Sequence, residues 1–314
     1  MRRPNVFSGP YADRVAHLRK DAAAVDALMA APGTRVLAVR EARNLVRRTP
    51  DGWVAETLGA TAAVAFAPPA DWILLGVFRG EAHFVCEVAH ERPVGDPAVT
   101  FEELRRTGGG LPDDEAGLLA YARALVLWRA RTRHCGVCGA PNRPTSAGHV
   151  MTCTREGCGA EHFPRIDPAI IVLVTDGEHA LLGRQAAWPE GRYSTIAGFV
   201  EPGESLEDAV AREVLEEAGV TVLASEYHSS QPWPFPSSLM IGYTATAAPG
   251  QVPRADEELE DVRWFSRADI AAGAVGLPFA QSVSYRLIED WYDSGSPRSL
   301  RDTPGVRSWG RGER

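Results

Sequence analysis

The chain has 314 residues, 45% of them apolar, and carries a formal net charge of −8. That length and apolar share support roughly two domains of 100 to 200 residues, and the acidic balance argues against a general nucleic-acid scaffold. No apolar run approaches transmembrane length and no apolar signal core follows the Met-Arg-Arg-Pro-Asn start, so a cytoplasmic protein with no membrane partner is expected.

In chain order, 36–40, 62–66 and 71–78 read as short β-rich runs, the last turning at Arg79-Gly80 into a further strand. Cys86, in that further strand, reads as a buried small hydrophobe. The glycine-rich break at 108–114 caps a helix from Glu115 to about Arg131. Residues 1–130 are thus expected to form a small α/β domain without catalytic groups. The tail, 294–314, is rich in Gly, Pro, Ser and Arg and is expected to be flexible.

Four of the five cysteines form two knuckles, Cys135-Gly-Val-Cys138 and Cys153-Thr-Arg-Glu-Gly-Cys158. Thiols stay reduced in a cytosolic setting, and two short turns offering four sulfurs suit one tetrahedral zinc per subunit, closed and therefore structural. A redox pair is the competing reading. Residues 131–164 are expected to be this zinc ribbon. Arg131, Arg133, Arg143, Arg155 and Arg165 surround it and would suit steering of an RNA chain, or would simply solvate the module.

Residues 168–174, 179–183 and 193–197 read as three strands, with later strands at 239–247 and 262–265 and helices at 267–272 and 281–292. Between them lies the run GFVEPGESLEDAVAREVLEEAGV, 198–220. Ser205 is a good N-cap with Asp208 in the capping-box position and Gly219 a natural terminator, so 206–218 is one helix. Glu213, Glu216 and Glu217 then fall on one side of it, at the spacing where side chains touch. Val210, Ala211, Val214, Leu215 and Ala218 would pack beside them on a core. Three carboxylates in one turn, with Arg212 the only nearby cation, call for a divalent counter-charge; hard oxygen ligands favour Mg²⁺ or Mn²⁺. A solvated acidic face is the alternative for an ExxEE spacing alone.

Gly198, Glu204, Arg212, Glu213, Glu216, Glu217 and Gly219 match every specified position of the signature of the Nudix hydrolases, which the chain resembles. The resemblance implies an α/β/α sandwich with a mixed sheet over 165–293, holding metal against a diphosphate. The segment from Ser230 to Met240, with its Gln-Pro-Trp-Pro-Phe-Pro core, and the ribbon before the catalytic domain both resemble the NADH pyrophosphatase branch. That branch implies hydrolysis of NAD(H) to nicotinamide mononucleotide and AMP, removal of NAD caps from RNA 5′ ends, and a homodimer. The second cysteine pair is spaced by four residues where some members have two, a loop that zinc tolerates.

Carried onto this chain, the resemblance makes Glu213, Glu217 and the Ala197 carbonyl metal ligands, with Glu216 completing the acidic cluster and Arg212 holding the glutamates. Glu258 matches a distal glutamate that ligates metal or orients water, and Glu257 is a weaker candidate. Phe163 and Phe199 match positions that stack a ring, while Gln231, Ser238 and Ser284 match polar contacts around the ligand. Trp233 and Phe235 would wall the substrate side of the cleft, their prolines limiting the entropy lost on clamping a ring. A Nudix hydrolase of another dinucleotide or of a nucleotide sugar, and a nucleotide-sensing binding protein, are the alternative readings.

Overall fold

The computed structural model describes residues 4–8, 11–90 and 95–309. These divide into two bodies. One takes Val6–Ile166 together with Pro232–Ser237; the other takes Asp167–Gln231, the residues from Ser238 onward, and Asn5.

The first body begins with α1 (Ala22–Ala30) and a sheet containing β1 (Arg35–Arg40), β2 (Arg43–Thr49), β3 (Gly52–Ala55) and β4 (Thr57–Gly59). The run at 62–66, expected as a strand, instead lies in and after the short helix α2 (Ala60–Ala63). Its alanines favour helix over strand, which overrides the isolated Val64 and Phe66. The sheet continues through β5 (Ile73–Phe78), β6 (Glu81–Glu87) and β7 (Val99–Glu102), with β6 parallel to β1 and the β5–β6 hairpin turning at Arg79 and Gly80, both at positive φ.

After α3 (Leu104–Thr107), the helix α4 (Asp113–Arg131) covers one sheet face. Alternate residues of β1 serve opposite sides: Leu37 and Val39 meet Leu119 and Val126 of α4, whereas Val36 and Ala38 join a second core with Phe84 and Cys86. Cys86 is fully buried there, and burial pushes its thiol up to about 12.

The ribbon strands β8 (Asn142–Thr145), β9 (Val150–Cys153) and β10 (Glu161–His162) form an antiparallel sheet. They group with the N-terminal body. Met151 of β9 is part of the α4 core.

The second body is built on β11 (Asp167–Thr175), which pairs antiparallel with β12 (His179–Arg184) and β13 (Ile196–Phe199). The third expected strand therefore starts later than 193 and carries through the glycine. Helix α5 (Leu206–Ala218) is followed by β14 (Val222–Trp233) and β15 (Ser238–Ala247), and β15 runs parallel to β11. The sheet order is β14-β15-β11-β12, closed at the far edge by β16 (Asp261–Ser266). Then come α6 (Arg267–Ala271), β17 (Gly276–Leu277) and α7 (Val283–Gly295).

The run Ile170-Ile171-Val172-Leu173-Val174 is apolar throughout because both its faces are covered. Ile170, Val172 and Val174 meet α5 through Val210, Val214 and Ala218, and Ile171 and Leu173 meet α7 through Leu287 and Ile288. This is a helix–sheet–helix sandwich. Leu215 and Ala211 are exposed, so the buried stripe of α5 is narrower than its composition suggests.

The tail expected to be flexible is packed as far as Trp309. Leu300 is fully buried, β18 (Arg307–Ser308) pairs with β17, and the Trp309 indole donates to the Gly276 carbonyl at 3.0 Å. Residues 310–314 lie outside the described residues. Among those described, no helix is long and apolar enough to cross a membrane.

Candidate active site

Helix α5 starts where the sequence dictates. The Ser205 hydroxyl accepts from the Asp208 N–H at 3.1 Å, Asp208 accepts from the Ser205 N–H at 3.2 Å, and Gly219 ends the helix at φ 64°. The axis thus fixed brings Glu213 against Gly198 of β13. A Cβ at position 198 would overlap the Glu213 carboxylate, so glycine is needed there for close approach and not for its dihedral freedom.

Arg212 ties this corner together. Its guanidinium donates to both oxygens of Glu204, at 2.5 and 2.9 Å, to Glu213 at 2.8 Å, to Glu216 at 3.1 Å and to the Phe199 carbonyl at 3.0 Å. The fork is used in full, which a lysine could not do. Held by Arg212, and also accepting from the Glu201 N–H, Glu204 is lowered to about 2.

Glu217 lies one turn beyond Glu213 and is buried. Burial first, then the charges of Glu213, Glu258 and Asp256, push its carboxyl up to about 8, opposed only in part by the Ala197 N–H. Burial also raises Glu213, with Glu216 and Glu258 adding to it and Arg212 working against them. Glu258 comes from the loop before β16, where the Asp256 carboxylate accepts from the N–H groups of Glu258 at 2.8 Å and Leu259 at 2.9 Å. Asp256 was not singled out in the sequence, although an Asp two residues before a candidate ligand is the signal of such a turn. Glu257 is exposed. Carboxylates crowded until two of them resist ionisation are a donor set that fits a hard divalent cation.

The expected ligand-contact residues divide. Phe199 and Phe163 are exposed, at 60% and 63%. Gln231 is fully buried, its amide donating to the Gln281 carbonyl at 2.8 Å and accepting from the Val283 N–H at 2.8 Å. Ser284 is also buried, with its hydroxyl 2.9 Å from that of Ser194 and 2.8 Å from that of Thr195. Both side chains also fix the start of α7. Ser238 opens β15 half-buried.

Trp233 and Phe235 were expected to wall the substrate side of the cleft. They group with the first body, packing edge-on to Phe7 at 6.2 and 6.0 Å and to each other at 5.0 Å. The guanidiniums of Arg105 and Arg123 lie 4.6 and 4.9 Å from the Phe235 ring. Large rings flanked by prolines are as well suited to completing a core as to clamping a ligand.

In the ribbon the sulfurs of Cys135, Cys138, Cys153 and Cys158 all lie within 4.8 Å of one another. Cys135 and Cys158 are 3.9 Å apart, Cys138 and Cys153 3.4 Å. Tetrahedral zinc, with Zn–S of about 2.3 Å, sets its sulfurs roughly 3.8 Å apart, so the thiols fit it. The five ribbon arginines are exposed.

Such a glycine–helix corner defines a class, and residues 165–287 match the NUDIX domain. The chain belongs to the Nudix hydrolases, in the branch whose first domain is an NADH pyrophosphatase-like rudimentary NUDIX domain, matched here at residues 33–128. The NAD-capped RNA hydrolase NudC of Mycobacterium bovis is 41% identical over 298 residues, covering 89% of this chain and 92% of its own. That of Stutzerimonas stutzeri is 42% identical over 215 residues, 68% of this chain and 75% of its own. NAD-capped RNA hydrolase NUDT12 of Macaca fascicularis is 39% identical over 196 residues, 58% of this chain and 42% of its own.

Proposed function

We propose that the protein is a Mg²⁺- or Mn²⁺-dependent NAD(H) diphosphatase that also removes NAD caps from RNA 5′ ends. The observation that carries this reading is the corner where Glu213 fills the space left by Gly198 while Arg212 holds Glu204, Glu213 and Glu216. The names of the relatives supply the substrate class.

Glu213 and Glu217, with the Ala197 carbonyl, would ligate the divalent cation, and Glu216 and Glu258 complete the acidic set. A bound cation supplies neutralisation of the diphosphate oxygens and acidification of a water. Glu258, on its exposed loop, orients the attacking water and takes its proton, and the nucleotide leaves in line. Arg212 does not touch phosphate, since its donors are spent on carboxylates and the Phe199 carbonyl. Phe199, one residue past the glycine, offers a flat exposed face to a base or nicotinamide ring, and Phe163 offers a second. The exposed arginines of the ribbon attract the RNA chain behind a cap. The ribbon holds one zinc per subunit. The protein acts in the cytoplasm as a homodimer, as the branch implies.

Turnover of NADH, NAD⁺, ADP-ribose and NAD-capped RNA, measured side by side with and without Mg²⁺ or Mn²⁺, tests the reading. Cation-dependent release of nicotinamide mononucleotide from NADH and capped RNA is expected. Absence of hydrolysis with either cation would overturn it in favour of a nucleotide-sensing role.

A further inference from the structure

Beyond the four thiols, a polar side chain of the ribbon lies against one of the sulfurs. His162 Nε2 lies 3.4 Å from Cys135 Sγ, a sulfur that also accepts from the Val137 N–H at 3.4 Å. The matching sulfur of the other knuckle, Cys153, accepts from the Arg155 N–H at 3.4 Å. The imidazole rests on the first knuckle, where a Cβ at Gly136 would lie 4.0 Å from its Cε1. A zinc-bound thiolate only accepts, so this contact makes Nε2 the protonated nitrogen and fixes the plane of the ring.

His162 is also the last residue of β10, a strand of two residues whose partners are Thr152 and Met151. Phe163 follows it outside any strand, 63% exposed, and the four residues 163–166 are all exposed. Among the described residues, no other aromatic ring or guanidinium packs on the Phe163 ring. On extended backbone, neighbouring side chains point to opposite sides, so drawing His162 onto the sulfur turns Phe163 away from the knuckle and toward solvent.

We propose that His162 is a positioning residue: its bond to the Cys135 sulfur couples the zinc centre to the direction of the Phe163 ring, so that zinc sets ring recognition without entering the chemistry. This rests on the reading of Phe163 as a wall for a substrate ring. Residues 163–166 are exposed and belong to no strand, so the ladder to β9 and the sulfur contact of His162 are the fixed points just before the Phe163 ring.

The test compares His162→Ala, His162→Gln and Phe163→Ala in the full-length protein. Zinc per chain is measured by elemental analysis, and kcat and KM are measured with NADH and ADP-ribose at saturating Mg²⁺. The Kd for NADH is measured by its fluorescence in a Glu217→Gln background, where substrate persists. His162→Ala should keep one zinc per chain and reproduce the Phe163→Ala pattern across the two substrates at smaller amplitude. KM and Kd should rise about fivefold, the scale of one lost hydrogen bond, with kcat within about twofold. His162→Gln, which still offers an N–H at similar reach, should restore both. Loss of zinc, or an equal fall in kcat for both substrates, would show a merely structural histidine and overturn the proposal. So would an unchanged His162→Ala beside a Phe163→Ala that raises KM. A Phe163→Ala variant that leaves KM and Kd for NADH unchanged would instead remove the ring-wall reading itself.

Discussion

The two clusters proposed to hold metal ions are organised in opposite ways. The four thiols converge, all within 4.8 Å, on turns held by backbone N–H bonds to sulfur. The carboxylates crowd one another without converging on one point: Arg212 draws Glu213 and Glu216 to one side, while Glu217 is buried near the Ala197 N–H. A structural ion is wanted permanently, so its ligands are built to face one point. A catalytic cation has to share its ligand sphere with a diphosphate, so its ligands are held ready but not closed.

The largest expected effect falls on the converged cluster. Cys138→Ser should lose zinc and destabilise or aggregate the first body, because structural zinc contributes on the order of 10 kcal/mol to the folding of such small sites. A soluble, active preparation without zinc would break the comparison at once. Glu217→Gln should instead leave zinc content and melting temperature near those of the parent and slow turnover by roughly a hundredfold or more. Near-normal turnover at saturating Mg²⁺ would mean that α5 is not the catalytic metal site.

A third, smaller effect concerns Phe199. Its replacement by Ala should cost stacking of about 1 to 3 kcal/mol against NADH and NAD-capped RNA and spare a small diphosphate without the second ring system. Equal losses on all substrates would assign the ring to packing. A further effect is a pH dependence. The Glu217 carboxyl is raised from 4.5 to about 8 in the folded protein, so between these values the folded state holds a proton that the unfolded state has released. Stability without divalent cation should therefore fall as pH rises from 4.5 toward 8, and Mg²⁺ affinity should rise over the same window and level off above it. Thermal melts and Mg²⁺ titrations at several pH values read both slopes. Glu217→Gln should flatten them.

Legibility follows the same division. The boundaries of α5 were readable to the residue because Ser205, Asp208 and Gly219 act within one turn of the chain. The cysteine knuckles were equally local. What the sequence did not reveal depends on distant partners. Strand β14 runs through a stretch whose serines and proline resemble a loop, and it is the neighbour β15 that makes it a strand. Nor did the sequence reveal that Gln231 and Ser284 bond to the start of α7 and to Ser194 and Thr195. His162 gave one signal, a histidine two residues past the last knuckle glycine-alanine pair, but its sulfur partner is 27 residues away.

The chain also exchanges small pieces between its two bodies. Asn5 donates to the Ser229 hydroxyl at 3.0 Å and to the Ser230 carbonyl at 2.9 Å, while Trp233 and Phe235 pack with Phe7 and the α4 core. During synthesis, therefore, residues 6–166 leave the ribosome with their core unfinished until 232–237 follow, and Asn5 waits just as long for its acceptors. A gene fragment ending near 166 encodes an incomplete fold, and one beginning there encodes the Trp233 and Phe235 rings without the core that covers them. Recombination at this boundary should be poorly tolerated, so the first domain is expected to be inherited with the second as one unit.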